Sequence, residues 1–233
     1  MTFSNLRSAI GNSSKRNWNW EMRPTPEQVA QIKALWKKNP NSGDELPPPT
    51  PSILNGFEFI PTIGLYVARE ITYLGSSWEE SHKLLQQENS RMLTPPEFVE
   101  FLKYSKIHFP DIYESITAVR NPGRREHIDA FFESRQDGMY VLTKNKTNAE
   151  KLEDCLMQDK KPGIDLEFYL NSPTKQGLPK SETPEGEFYF WYPRDNRVAR
   201  FDANSGFAGL GCYDGSHYCD VSLGVRAAKQ LEQ

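Results

Sequence analysis

The chain has 233 residues, 37% hydrophobic and 25% charged, a mix that fits one globular domain carrying a polar extension and argues against a fibrous or wholly disordered protein. Its 28 basic and 31 acidic side chains leave a net charge of −3, so no global positive field is available to hold a nucleic-acid backbone. No apolar run reaches membrane-spanning length, MTFSNLRSAIGNSSKRNWNW lacks the apolar centre of a secretory signal, and three cysteines without a CxxC spacing argue against a disulfide scaffold or structural zinc.

Residues 1–52 read as a proline-rich arm or linker, because seven of the 17 prolines fall between Pro24 and Pro51 and remove backbone donors there. A short helix is expected inside the arm, where Val29, Ile32, Leu35 and Trp36 recur at helical spacing after Thr25-Pro26. Gly56 to Leu74 is densely apolar, and its order fixes neither helix nor strand. Ser77-Trp78-Glu79-Glu80 and Thr94-Pro95-Pro96-Glu97 carry the capping-box pattern that opens helices. Phe98, Phe101 and Leu102 then share a helical face, and Ile112, Ile116 and Val119 repeat the spacing up to a stop at Asn121-Pro122-Gly123. Ile128, Phe131 and Phe132 predict a further amphipathic segment, so helical decoration is expected from about Ser76 to Arg135. Met139 to Leu142 and the alternating Ile164-Asp165-Leu166-Glu167-Phe168 predict strands, with Leu152, Cys155 and Leu156 on a helical stripe between them. Asn171 to Gly186, rich in proline and polar residues, predicts an exposed loop.

The C-terminal segment has an unusual composition. Aromatic residues supply nine of the 33 positions from Phe188 to Asp220, beginning with five in succession, Phe188 to Tyr192. Ala208, Leu210 and Cys212 alternate with Phe207, Gly209, Gly211 and Tyr213, which predicts a strand with one packed face and one variable face. YDGSHYCD, from Tyr213 to Asp220, combines aromatic anchors with small polar groups in the manner of antibody contact loops. Lys, Glu, Gln, Met and Trp make up 54 of the 233 residues, yet none occurs from Tyr192 to Ala228. Those five are the amino acids that no codon ending in a pyrimidine encodes. Randomising the adenines of an adenine-adenine-pyrimidine codon would produce this gap while leaving Asn, Asp, Ser, Tyr, His, Gly, Cys, Phe and Arg reachable. A glycine-rich β region that avoids long side chains explains the gap less well, since Arg194, Arg197, Arg200 and Arg226 are present.

At these residues the chain resembles the variable proteins of diversity-generating retroelements, especially the archaeal type. The matching stretch is FYFWYPRDNRVARFDANSGFAGLGCYDGSHYCDVSLGVRAAK, Phe188 to Lys229, about a fifth of the chain. Ser222-Leu223-Gly224-Val225-Arg226 also resembles the last strand of the related formylglycine-generating and sulfatase-modifying enzymes. The resemblance implies an α+β domain with a C-type lectin fold over residues 53–233, helical decoration on its N-terminal side and a C-terminal antiparallel sheet. It implies hypervariable positions on a fixed frame, selective binding of a protein or cell-surface ligand, no enzymatic turnover and no cofactor. Location is left open by the resemblance; with no exported leader in view the expectation is cytoplasmic by default.

Frame roles fall to Val198, Ala199, Arg200, Phe201, Ala208, Leu210, Leu223 and Val225, with Arg200 and Arg226 expected to pair with buried acceptors. Candidate ligand-facing positions, each carrying a residue reachable from the mutable codon, are Tyr189, Asp195, Asn196, Asp202, Asn204, Phe207, Gly209, Gly211, Tyr213, Asp214, Ser216, His217, Tyr218 and Asp220. Tyr213, Tyr218 and Phe207 are the expected anchors, because buried aromatic contacts dominate binding surfaces. Gly209 and Gly211 either open room for a ligand or accommodate a bulge.

The competing reading is an enzyme of the formylglycine-generating class acting on a cysteine-containing peptide, with Cys212 and Cys219 as its reactive pair. Against it, Cys212 falls on the packed face of its strand, Cys219 is a reachable product of codon randomisation, and Cys155 reads as a small core residue. His82, His108, His127 and His217 show no metal-ligand spacing. Asp202, Asp214 and Asp220 lack a nearby glutamate to complete calcium coordination, so binding without an obligatory metal is expected. Arg120, Arg124 and Arg125 read as a solvated basic loop.

Overall fold

The computed structural model describes residues 54–144 and 148–230; the arm and its expected helix lie outside the described residues. The apolar run after Gly56 forms a hairpin of two strands, β1 (Phe57–Ile60) and β2 (Leu65–Ala68). The last strand, β11 (Ala228–Lys229), returns from the far end of the sequence to pair with β2, making a three-stranded sheet.

Both capping boxes open helices. In α1 (Trp78–Gln87) the Glu80 amide donates to Ser77 Oγ and the Ser77 amide donates to Glu80 Oε2 at 3.0 Å, so two orphan donors are satisfied reciprocally. In α2 (Pro95–His108) Glu97 accepts from the Thr94 amide and is gripped by both terminal nitrogens of Arg91 at 2.6 and 2.7 Å. Burial penalises the Glu97 charge, yet Arg91 and Thr94 outweigh it and hold the carboxyl below its ordinary range. A third helix, α3 (Pro110–Thr117), buries Ile112 and Ile116; Val119 lies beyond its end and is exposed.

The N-terminal run of helices stops there. Arg124–Arg135, the segment that holds Ile128, Phe131 and Phe132, is β3, the longest strand, instead of the expected amphipathic helix. Ile128, Ala130 and Phe132 point into the main core with period two, and Phe131 packs on the opposite side against Trp78. A strand buried on both faces shows apolar residues at adjacent positions, which on paper also fits a helical stripe. Strands β4 (Gly138–Leu142), β5 (Glu150–Lys151), β6 (Lys160–Ile164), β7 (Phe188–Trp191), β8 (Arg197–Ala203), β9 (Ala208–Asp214) and β10 (Leu223–Val225) complete an eight-stranded mixed sheet. Its order is β5-β4-β3-β8-β9-β7-β6, with β10 running parallel to β3 beside Arg125–His127 and β7 parallel to β9; the C-terminal sheet is therefore mixed instead of the expected antiparallel one, because β9 inserts between β8 and β7 and β10 returns to the far side of β3.

Three other expectations are corrected between β4 and β7. Leu152 and Leu156 are buried but belong to irregular chain around β5 instead of a helix, and Cys155 is exposed, not a core residue. The expected strand Ile164–Phe168 breaks at Asp165, whose side chain accepts from the Phe168 amide and caps the short helix α4 (Leu166–Asn171). Asn171 to Gly186 is not a free loop. Thr174, Gln176, Leu178 and Thr183 are buried, and the Tyr169 hydroxyl donates to the Gly177 carbonyl at 2.8 Å.

One side of the large sheet packs on α2, α3 and α4. Phe201 stacks on Phe98 at 4.7 Å, Phe188 on Tyr169 at 6.2 Å, and Phe190, Leu210 and Cys212 fill the space between. On the opposite side, Trp78 of α1, Val198, Val225 and Ala227 form a smaller cluster over β3 and β10. The expected pairing of the two frame arginines is present: Arg226, 1% exposed, donates to Glu126 at 3.1 Å and to the carbonyls of Ala68 and Arg69. These contacts tie β10 and β11 to β3 and the first hairpin. The chain is therefore α+β. No described helix is long and apolar enough to cross a membrane.

Candidate ligand-binding surface

The register of the sheet sets out two cross-strand rows on the side that faces away from α2–α4. Tyr189, Gly209, Asp202 and Arg125 align in one row, and Trp191, Gly211, Arg200 and His127 in the next. The glycines of β9 therefore separate an aromatic half on β7 from a charged half on β8 and β3. Phe188 and Phe190 point inward, so the run of five aromatics is divided by strand alternation into core and surface.

Four rings join on the aromatic half. Tyr189 stacks on Phe207 at 5.2 Å and 13°, and Trp191 contacts Tyr189 at 5.7 Å, Phe207 at 4.9 Å and Tyr213 at 5.6 Å. Lys161 lies over the Trp191 ring at 4.8 Å. Trp191 is the hub of this group and was not among the expected ligand-facing positions. Its signal in the sequence was its alternation with Tyr189 in the aromatic run.

On the charged half Arg200 is buried between two carboxylates. Its Nε donates to Asp202 Oδ2 at 2.9 Å and lies 2.8 Å from Asp214 Oδ2, the second contact being ionic without hydrogen-bond alignment. Its guanidinium lies 5.8 Å from the Tyr213 ring centre and 5.2 Å from that of Tyr218. Burial raises the pKa of Asp202 and of Asp214, and Arg200 opposes the shift in both. Arg125 bridges Asp202 at 3.3 Å and Asp220 at 3.1 Å. Asp220 also accepts from the Ser222 hydroxyl and amide, which hold its carboxyl below the usual range.

Five of the expected positions, Tyr189, Phe207, Tyr213, Asp214 and Tyr218, come together around Trp191 and Arg200 with part of each side chain accessible. Asp202, at 1% exposure, is corrected from ligand-facing to buried counter-ion. Gly209 and Gly211 are also buried. A Cβ on Gly209 would lie 2.7 Å from the Tyr189 carbonyl and 2.9 Å from the Trp191 ring, and one on Gly211 would lie 2.9 Å from the Tyr213 ring. The space these glycines leave is filled by the chain's own aromatics, so neither presents a surface to a ligand. Asn204 accepts from the amides of Gly206 and Phe207 and shapes the β8–β9 turn. Asp195 accepts from the Ser134 backbone N–H and the Asn196 backbone N–H donates to the Phe132 carbonyl, which fastens their turn to β3. Ser216 donates to Glu79, and His217 lies 3.7 Å from the same carboxylate, so this loop leans on α1.

Comparison with known protein families, with curated proteins and with solved structures returns no match for this chain.

The other chemical candidates are absorbed by the frame. Cys212 is fully buried and burial pushes its thiol well up, whereas Cys219 is exposed. Arg124 pairs with Glu126, Arg125 with Asp202 and Asp220, and Arg120 donates to the Ser115 carbonyl, so the expected solvated basic loop is instead a set of fastenings. Among the described residues, no group of three His, Cys, Asp or Glu side chains is placed to hold a metal ion.

Proposed function

We propose that this chain is a ligand-binding variable protein of a diversity-generating retroelement, with a C-type lectin scaffold that presents rewritable side chains to a protein or cell-surface ligand. The observation that carries the reading is the convergence of Tyr189, Phe207, Tyr213, Asp214 and Tyr218 on one side of β7–β9–β8, while the intervening residues Phe188, Phe190, Leu210 and Cys212 sit in the core. Replacement of the first set changes contact area; replacement of the second opens cavities. The absence of Lys, Glu, Gln, Met and Trp from Tyr192 to Ala228, a window that holds four of the five clustered positions, supports codon randomisation as the source of the variation. Binding is favoured over thiol chemistry because the Cys212 sulfur is sealed in the core with a raised pKa, which suppresses the thiolate that a redox reaction needs.

The deciding experiment is to sequence the locus. The reading expects a near-identical repeat of the Phe188–Lys229 coding region beside a reverse-transcriptase gene, with differences confined to template adenines and concentrated in the codons of the five clustered residues. A complete genome without such a repeat refutes it. In binding assays the Cys212→Ser/Cys219→Ser variant retains ligand affinity under this reading, and loss of a peptide-cysteine oxidation activity in that variant would establish the enzyme instead.

A further inference from the structure

We infer that Trp191 is the fixed floor of the diversified surface, and that the side chains at positions 189, 207 and 213 set how much of its indole a ligand meets. The inference rests on the binding role proposed above and adds a constant element to it.

Three observations lead there. Trp191 is only 9% exposed although it points away from the main core; the rings that contact it are those of Tyr189, Phe207 and Tyr213, and the Lys161 ammonium lies over it as a fixed fourth neighbour. All three are residue types that a randomised adenine-adenine-pyrimidine codon reaches, whereas the single tryptophan codon ends in a purine and is outside that set. Cζ3 of the indole lies against Gly209, whose missing side chain leaves the room it occupies: a Cβ there would be 2.9 Å from Trp191 Cζ3 and 2.7 Å from the backbone carbonyl of Tyr189. The floor and its seat are thus a matched pair, and the three rings above are the replaceable part.

The consequence is a surface whose depth is adjustable. With tyrosine and phenylalanine in place, the indole is covered and the surface is a ridge of rings. Serine, asparagine or glycine at the same positions uncovers the indole and leaves a recess with an aromatic base, into which a planar aromatic group of a ligand fits as the departed ring did. Aromatic pairs of this kind contribute beyond their buried area, so the floor supplies a contact shared by variants that otherwise differ.

The test uses the full chain and p-cresol, the free form of a tyrosine side chain. Acrylamide quenching of Trp191 fluorescence is obtained as the difference between each protein and its Trp191→Phe counterpart, for the parent, for Tyr213→Ser and for Tyr189→Ser/Phe207→Ser/Tyr213→Ser. The expected result is a quenching constant that rises stepwise, severalfold in the triple variant, with the thermal transition retained and with saturable reprotection of the indole by p-cresol in the variants only. Unchanged quenching in both variants would show that the frame, not the three rings, covers Trp191. Loss of the thermal transition in Tyr213→Ser as well as in the triple variant would show that the rings are cohesive core. Reprotection of the parent equal to that of the variants would show that no recess opens. The template repeat reports on diversification separately: it is expected to carry the same codon at 191 and altered codons at 189, 207 and 213, and its absence would refute the genetic reading while leaving the indole measurement to decide the geometry.

Discussion

Gly209→Ala is the smallest change that interrogates the arrangement of β7 and β9. The new methyl would stand 2.7 Å from the Tyr189 carbonyl oxygen, 2.9 Å from Trp191 Cζ3 and 3.0 Å from Tyr189 Cβ. Moving the indole relieves only the second contact. The first is with backbone, in the parallel pair that joins Tyr189 to Gly209, so relief requires the two strands to separate locally. Gly211→Ala is different, because its methyl meets the far end of the Tyr213 side chain, which can rotate toward solvent. Gly206→Ala, in the exposed turn, meets only Asn204 Oδ1 at 3.4 Å. Overpacking that cannot relax costs about 1–3 kcal/mol, which for a domain of this size is a fall of roughly 2–12 °C in Tm. Urea and thermal unfolding of the three variants should therefore rank Gly209→Ala as most destabilised, Gly211→Ala as mildly affected and Gly206→Ala as near the parent. If Gly209→Ala unfolds with Gly206→Ala, the indole does not rest on β9 and the proposed floor fails.

Other consequences can be measured on the same protein. Burial lowers the His127 pKa from 6.5 to about 4, with the nearby Arg200 and His82 acting in the same sense and the Ser76 carbonyl opposing. An unfolded histidine protonates first as pH falls, so the native state loses about 3 kcal/mol between pH 6.5 and 4 at this site; the raised carboxyls of Asp202 and Asp214 act in the opposite direction, and subtracting the His127→Gln variant isolates the histidine. A difference curve that stays flat over that interval would contradict it. Glu126→Gln leaves Arg226 buried without its counter-charge and should destabilise by about 3–5 kcal/mol in urea, more than removal of an exposed pair such as Arg194–Asp159. Ser77→Ala removes half of the α1 capping box and should cost about 1 kcal/mol. Tyr218→Ala, at a ring 40% exposed, should leave Tm nearly unchanged while weakening any ligand found; comparable loss of both would place the ring in the fold's cohesion.

Ser77–Glu80 and Thr94–Glu97 declared their helices because a capping box is a local hydrogen-bond pattern that needs no distant partner. Alternation from Phe207 to Tyr213 gave β9 and the inward position of Cys212 for a similar reason, since a strand's two faces are written in period two. Segment 124–135 carries no strand signature because both faces of β3 are buried, one by the main core and the other by Trp78, and burial on two sides erases alternation. Asp165 sits in an alternating pattern yet ends the strand, because its capping role depends on where the chain turns after β6.

Legible in the amino-acid order alone are the small, aromatic and short polar character of Phe188–Lys229, the starts of the two capped helices and the inward alternation of β9. Which of them meet follows from how the strands are laid together. Trp191 became a hub, Asp202 a buried counter-ion and Gly209 a seat because β7, β8 and β9 lie side by side in a register that joins residues distant in sequence. Contact, burial and charge pairing are properties of that register, and local sequence carries no record of it until the strands are laid against one another.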